Sequence, residues 1–253
     1  MLARQPQPSQ TSSKSLTVAL ARDIHEVREA QRLRYQVFAR EMGARVPGRE
    51  QGIDCDIYDA YCDHLLVRDT ERSGVVGTYR ILSGAKARRI GGYYAEGEFD
   101  LARLNHLREV TVEVGRSCVH PDYRGGAAIA LLWSGLGAYM LRHGYQYLIG
   151  CASIGMADGG RSAMGVYRQL RESSYSPIEY RVFPRRELPM HGFDGDTNAQ
   201  IPALIKGYVR LGSYVCGAPA WDLDFNTADL LMLLPLARVN PRYARHFLKA
   251  SPS

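Results

Sequence analysis

The chain has 253 residues, enough to bury a sizeable core, and its 45% hydrophobic and 23% charged residues are ordinary for a soluble globular protein. A formal net charge of +6 suits an acidic partner, whether a carrier protein, an anionic membrane or a nucleic acid. No long Lys/Arg run, zinc-finger spacing or aromatic RNA-binding signature accompanies that charge, which sets nucleic acid aside. The longest apolar run, Leu230 to Ala237, contains Pro235 and is far short of the roughly 20 residues of a bilayer span.

Residues 1–15 are polar and rich in Gln, Ser and Pro, the composition of a disordered tail without the apolar core of a signal peptide. The five scattered cysteines, an odd number, point to reduced thiols and a cytoplasmic protein. Leu16 to Ala21 reads as a strand. Asp23, with Glu26 three residues on, is an N-cap signal for a helix running to about Glu41. A polar loop over residues 44–63 follows, rich in acids towards its end. His64–Arg68 and Val75–Leu82 read as an antiparallel hairpin, and a short helical stretch is expected around Phe99 to Leu107.

Glu109 to Val119 alternates as a strand, with Val110, Val112 and Val114 on one face and Thr111, Glu113 and Gly115 on the other. Pro121 and Gly125-Gly126 then turn the chain into a long apolar helix ending at His143-Gly144. Tyr145–Ser153 reads as a strand and Arg161–Glu172 as a helix. Beyond Pro184, Ile201–Val209 has helical character, Asp229–Leu234 is a strand or a short helix, and Tyr243–Lys249 a terminal helix. This order implies an α/β chain with a mixed sheet and helices on both faces.

A strand feeding a glycine turn and then a helix aims unpaired backbone N–H groups and the positive helix end at one spot, which suits a phosphate. The turn here is His120 to Ala128. Tyr123, Arg124, Gly125, Gly126 and Ala127 are the candidate residues for a phosphopantetheine phosphate, the glycines allowing close approach and Arg124 adding charge. The same geometry also serves a plain β–α turn.

The stretch resembles the thioester-binding core of GCN5-related N-acetyltransferases. It departs from that family's Arg/Gln-x-x-Gly-x-Gly/Ala spacing, because Ala127 and Ile129 follow Arg124 at those positions. Narrower pieces resemble the autoinducer-synthase branch: Arg34 and Phe38 on a helix, Asp54-Cys55-Asp56-Ile57-Tyr58-Asp59, Gly77-Thr78-Tyr79-Arg80-Ile81, and Glu113 to Val119. In the last of these Gly115 and Ser117 replace that branch's Ser and Phe. Taken with CDHLLVRD (62–69), LLWSGLGAY (131–139), IPALIKGYVRLG (201–212) and DFNTAD (224–229), the chain is similar to the L-ornithine N-alpha-acyltransferases of ornithine-lipid synthesis over residues 20–248.

The resemblance implies one acyltransferase domain over 16–253, a mostly antiparallel twisted sheet, and a family-specific extension from about residue 185. It implies transfer of a 3-hydroxyacyl group from acyl carrier protein to the α-amine of ornithine. The 4′-phosphopantetheine thioester is then a co-substrate, with no cofactor bound. Acylation of glutamine or glycine, homoserine lactone synthesis, and a silent carrier-binding module remain open.

Aminolysis of a thioester needs a base for the ammonium proton and donors for the oxyanion. Glu113 is the candidate base, or else the partner of an arginine such as Arg80. The backbone N–H groups of Cys118 and Val119 are the candidate oxyanion donors. Asp54, Asp56 and Asp59 can hold the acceptor's ammonium groups or form a solvated acidic loop. Arg80 is assigned to ordering that loop, Arg116 to the loop or the acceptor's carboxylate, and Arg34 and Phe38 to covering the pocket.

Two His-x4-Asp pairs, His64/Asp69 and His191/Asp196, lack the second block of a glycerolipid acyltransferase. Cys118 and Cys151 fall in strands and read as small apolar residues. Cys55, Cys62 and His64 have no zinc spacing, so no metal is expected. The stretch from Leu230 onward, with Arg238, Arg242, Arg245 and Lys249, suits either peripheral contact with the inner membrane or burial against the core.

Overall fold

The computed structural model describes residues 15–72, 74–188 and 198–239. Residues 1–14 of the expected tail, the pair His191/Asp196 and the helix expected at 243–249 lie outside the described residues.

The first strand, β1 (Leu16–Leu20), leads to α1 (Ile24–Arg34), whose start is set as the sequence implies: Asp23 accepts the backbone N–H groups of His25 and Glu26. The helix expected to reach Glu41 does so in two windings, because Tyr35–Glu41 is a π-helix closed by the Met42 N–H to Val37 carbonyl bond. Its wider turn buries Val37 and Phe38 together with Leu33, Val46 and Cys118.

The hairpin β2 (Asp63–Asp69) and β3 (Gly74–Ser83) is antiparallel, as expected. After it come α2 (Gly84–Arg89), a 3-10 turn over Tyr94–Gly97, β4 (Phe99–Asp100) and a 3-10 segment over Ala102–Val110. The next strand, β5, spans Thr111–Val119, so Glu109 and Val110 belong to the preceding 3-10 segment instead. The chain continues through α3 (Ala127–His143), β6 (Tyr147–Gly155), α4 (Arg161–Ser173), β7 (Phe183–Pro184), α5 (Ala203–Leu211), β8 (Tyr214–Val215), β9 (Ala220–Asp222) and β10 (Thr227–Pro235).

The sheet runs β1-β2-β3-β5-β6-β10-β8, with β9 on β10, and β4 pairs β7 separately. Every pairing is antiparallel except β5 with β6. All nine residues of β10 are buried, which settles its strand character: a continuous apolar run suits a strand covered on both faces. The apolar stretch entertained as a membrane contact is therefore core up to Pro235; Arg242, Arg245 and Lys249 lie outside the described residues. No described helix is long and apolar enough to cross a membrane.

Residues from α3, α4 and α5 form one core with the sheet. Tyr93, Phe99, Leu104 and Leu107 form another with Leu82, Ile149, Leu231 and Leu233.

Candidate active site

Two features of β5 open the centre of the sheet. Its parallel ladder with β6 runs from Thr111–Tyr147 to Glu113–Ile149 and ends there. On its other edge, between the pairs Arg80–Gly115 and Thr78–Cys118, two residues of β5 (Arg116 and Ser117) oppose one of β3 (Tyr79), a bulge in which Arg116 takes φ +49°. Such a φ strains a residue with a side chain, and it is held here by the contacts of the arginine itself. Past Glu113 the strands part, and a cavity of about 330 Å³ occupies the gap. Val114 to Val119 line it along one side; Phe38, Tyr94, Cys151, Phe225 and Asp229 contribute from other elements.

Glu113 lines this cavity, 5% exposed. Its carboxylate oxygens accept the backbone N–H groups of Tyr94 and Ala95, each at 2.7 Å, so it anchors the 3-10 turn that walls the cavity. Burial pushes the carboxyl up to about 7, against the pull of those two N–H groups and of Arg80. Each oxygen accepts one such bond and keeps a lone pair for a proton.

The acidic loop is arranged differently from a cation-binding site. Arg34, fully buried, ion-pairs with Asp54 (3.0 Å) and Asp59 (2.8 Å) and donates to the Asp54 carbonyl (2.6 Å). Arg80 pairs with Asp56 at 2.6 Å, and Arg116 with Asp54 at 3.2 Å and Asp56 at 3.3 Å. Burial works against the charge of Asp56, but Arg80 and then Arg116 hold its carboxyl below the usual range. Three arginines thus neutralise three aspartates. Arg34, Asp54, Asp56 and Asp59 are absent from the cavity lining, while Arg80 and Arg116 line it. The assignment of the aspartates to the acceptor and of Arg34 to the pocket cover therefore gives way to a brace beneath the site. Phe38 does line the cavity, edge-on to Phe225 with ring centres 5.7 Å apart.

Of the residues expected to cradle a phosphate in the turn before α3, Arg124 lines the cavity and Tyr123, Gly125, Gly126 and Ala127 do not. Gly126, at φ +101°, is the N-cap and brings no side-chain hydrogen bond, and the first turn carries no acid, so its N–H groups remain open to an anion. Gly125 and Ala127 flank it. Arg124 is held by Glu41 and by the Val119 carbonyl, and it also lines the cavity. Tyr123 departs from expectation: it is buried and its hydroxyl donates to Asp69, so it braces the β2–β3 turn rather than facing a phosphate. That bond also removes Asp69 from any pairing with His64, whose Nε2 lies 3.1 Å from the Asp59 carbonyl.

Cys118 and Val119 line the cavity but stand five and six residues from Glu113 on one strand, roughly 13–16 Å at extended rise even with a bulge between. A base at Glu113 and oxyanion donors at Cys118 and Val119 do not meet on one carbonyl carbon. Burial pushes the Cys118 thiol up to about 12 and Cys151 well above the ordinary value, so neither is a thiolate nucleophile at neutral pH.

Sequence reasoning missed a second group of acids. Asp222 and Asp229 line the cavity near Cys151, and ligand atoms of Glu98, Cys151 and Asp229 lie within 4.8 Å of one another. The motif DFNTAD contains Asp229, but nothing local in the sequence brings it to Glu98.

Residues 33–134 match the acetyltransferase (GNAT) domain model. The L-ornithine N(alpha)-acyltransferase of Rhizobium meliloti (strain 1021) is 38% identical over 92% of this chain and 84% of its own. That of Brucella abortus (strain 2308) is 35% identical over 92% and 89%. Among solved structures, FeeM, an N-acyl amino acid synthase from uncultured soil microbes, aligns with a TM-score of 0.55 at 14% identity, covering 89% of this chain and 92% of that one. The AHL synthase LasI aligns at 0.52 and 15% identity over 93% and 95%. These two likenesses show the GNAT-like fold, a mixed and mostly antiparallel sheet with helices. Identity of this degree over nearly the whole length, joined to that fold, places the chain in the L-ornithine N(alpha)-acyltransferase family.

Proposed function

We propose that the chain transfers a 3-hydroxyacyl group from the phosphopantetheine thioester of acyl carrier protein to the α-amine of L-ornithine, releasing lyso-ornithine lipid. The acceptor follows from the activity of the relatives, L-ornithine N(alpha)-acyltransferases. The observation that carries the chemistry is the parted β5 edge with the Glu113 carboxyl, at about 7, at its inner end.

In this reading the phosphate meets the open N–H groups of α3 beyond Gly126, and the pantetheine amides run along Val119 and Cys118 as an added strand would. The thioester carbonyl then lies at the bulge, Gly115 to Ser117, and the oxyanion donors belong there. Glu113 takes one proton from the α-ammonium, directly or through a water, and the freed amine attacks the thioester carbon. The C–N bond forms, the C–S bond breaks, and the departing thiolate takes up a proton. Arg80 and Arg116, fixed by the aspartates, hold the wall in place. A net charge of +6 favours an acidic carrier protein as donor. The basic residues Arg238 to Lys249 favour release of the lipid product at the anionic cytoplasmic face of the inner membrane.

Incubation with 3-hydroxyacyl carrier protein and single amino acids, with product identified by mass, tests this. N-acyl-ornithine is expected; acylation of glutamine or glycine with none of ornithine would overturn it.

A further inference from the structure

Ornithine carries a second amine, and one part of the cavity wall is acidic. Three acids from separate elements converge there: Glu98 at the end of the Tyr94–Gly97 turn, Asp222 at the end of β9, and Asp229 in β10. Asp222 and Asp229 face the cavity, and Glu98 stands behind them against Asp229 and Cys151.

Their neighbours supply hydrogen bonds but, among the described residues, no cation. Both Glu98 oxygens are buried; the Glu98 and Asp229 carboxyls share a hydrogen bond with each other, and no other donor among the described residues reaches Glu98. Asp229 is 3% exposed and takes the Thr227 hydroxyl at 2.8 Å. Asp222 caps the backbone N–H groups of Asp224 and Phe225. No Lys, Arg or His of the described residues forms an ion pair with any of the three. A buried pair of carboxyls with no cation beside it is costly to ionise. Burial, then Asp229 and Asp222, push the Glu98 carboxyl up to about 10; burial likewise raises Asp229. Glu98 therefore favours its protonated form at neutral pH, with the proton lying between it and Asp229. An incoming ammonium replaces that proton and removes the repulsion between the acids.

The position suits an acceptor with a terminal cation. Glu113, the base of the proposed reaction, lines the same cavity as Cys151, Asp222 and Asp229, so the acids share a chamber with the point where the α-amine is deprotonated. Arg116 lies over the Tyr94 ring at 4.8 Å and is paired with Asp54 and Asp56, so it is already committed to the brace.

Resting on the ornithine reading, we infer that Asp229 and Asp222, backed by Glu98, bind the side-chain ammonium of the acceptor and make the site selective for a diamino acid over neutral amino acids of the same length.

The test compares kcat/KM for L-ornithine and L-norvaline, which has the same carbon skeleton without the terminal amine, in wild type, Asp229→Asn and Glu98→Gln, with acyl carrier protein thioester as donor. Wild type is expected to prefer ornithine by roughly 10- to 100-fold, the range of a buried charge-assisted bond. Asp229→Asn should bring that ratio close to one while norvaline turnover persists, which a merely structural role would not do. A ratio unchanged within about twofold in both variants overturns the inference. So does loss of wild-type activity on chelation with recovery on adding a divalent metal, which would make Glu98, Cys151 and Asp229 a metal site. Should neither variant fold, wild type alone decides: equal use of norvaline and ornithine overturns the inference. A wild type that acylates no ornithine at all sinks the proposed function instead.

Discussion

Arg34→Met is the perturbation that tests the brace beneath the site. The guanidinium is fully buried and serves two carboxylates and one carbonyl, at 3.0, 2.8 and 2.6 Å. Removing one member of a buried ion pair costs about 3–5 kcal/mol, because the remaining charge is left uncompensated. Here the remaining charges are not wholly abandoned. Asp54 keeps Arg116 at 3.2 Å, and Asp59 keeps Arg80 at 3.7 Å and the Asp56 N–H at 2.9 Å. The lower end, about 3 kcal/mol, is therefore expected. Urea denaturation followed by circular dichroism reads it. With a slope of about 3 kcal/mol per molar, the midpoint falls by about 1 M with the slope unchanged. Arg34→Met combined with Asp59→Asn removes one of the stranded charges and should recover part of the loss, giving a coupling above about 1 kcal/mol. A loss below about 1 kcal/mol, or strict additivity in the double variant, refutes the brace. It would return Asp59 to the role of a solvated or acceptor-binding acid.

Glu113→Gln should lower kcat about 10²- to 10³-fold, the usual worth of a general base. In wild type kcat/KM should rise with pH through about 7, since a base acts only when deprotonated, and that limb should vanish in the variant. The same group bears on stability with the opposite sign: its folded value lies above the ordinary carboxyl value, so it favours the fold at low pH and that contribution is lost as pH rises towards 7. Glu113→Gln should flatten that slope in a denaturation series. Arg124→Gln should raise KM for the donor about fivefold and leave kcat alone, whereas Glu41→Gln, by freeing Arg124, should lower it; equal effects from both would detach Arg124 from the donor phosphate. A Cβ at Gly207 would lie 2.1 Å from the Trp133 ring, so Gly207→Ala should cost about 1–3 kcal/mol and lower Tm by about 2–4 °C per kcal/mol, measurable by calorimetry.

The elements legible in the sequence were those whose signals are local. Asp23 capping α1, the two apolar runs and polar turn of the β2–β3 hairpin, and α3 opening at Gly126 and closing at Gly144 each follow from a handful of neighbouring residues. The π-winding of Tyr35–Glu41 was not legible, because it is chosen by what Val37 and Phe38 pack against rather than by propensity. Nor were β4, β7, β8 and β9, of two or three residues each, too short for any period to show. Tyr123 was misread because its partner, Asp69, is 54 residues away.

Charge was the hardest property to read, and the reason lies in which acids are consumed. Asp54, Asp56 and Asp59 advertise themselves as a cluster six residues long, yet Arg34, Arg80 and Arg116 arrive from α1, β3 and β5 to cancel them. Glu98, Asp222 and Asp229 are scattered over 132 positions and carry no signal, yet they converge on the cavity without a cation. A visible acidic run thus became scaffold, while the dispersed acids kept their capacity to bind. Among the described residues, the acids in the cavity wall beside Glu113 have no cation paired with them, and on the inference drawn above a substrate bearing two amines is the class of acceptor such a wall would tell apart.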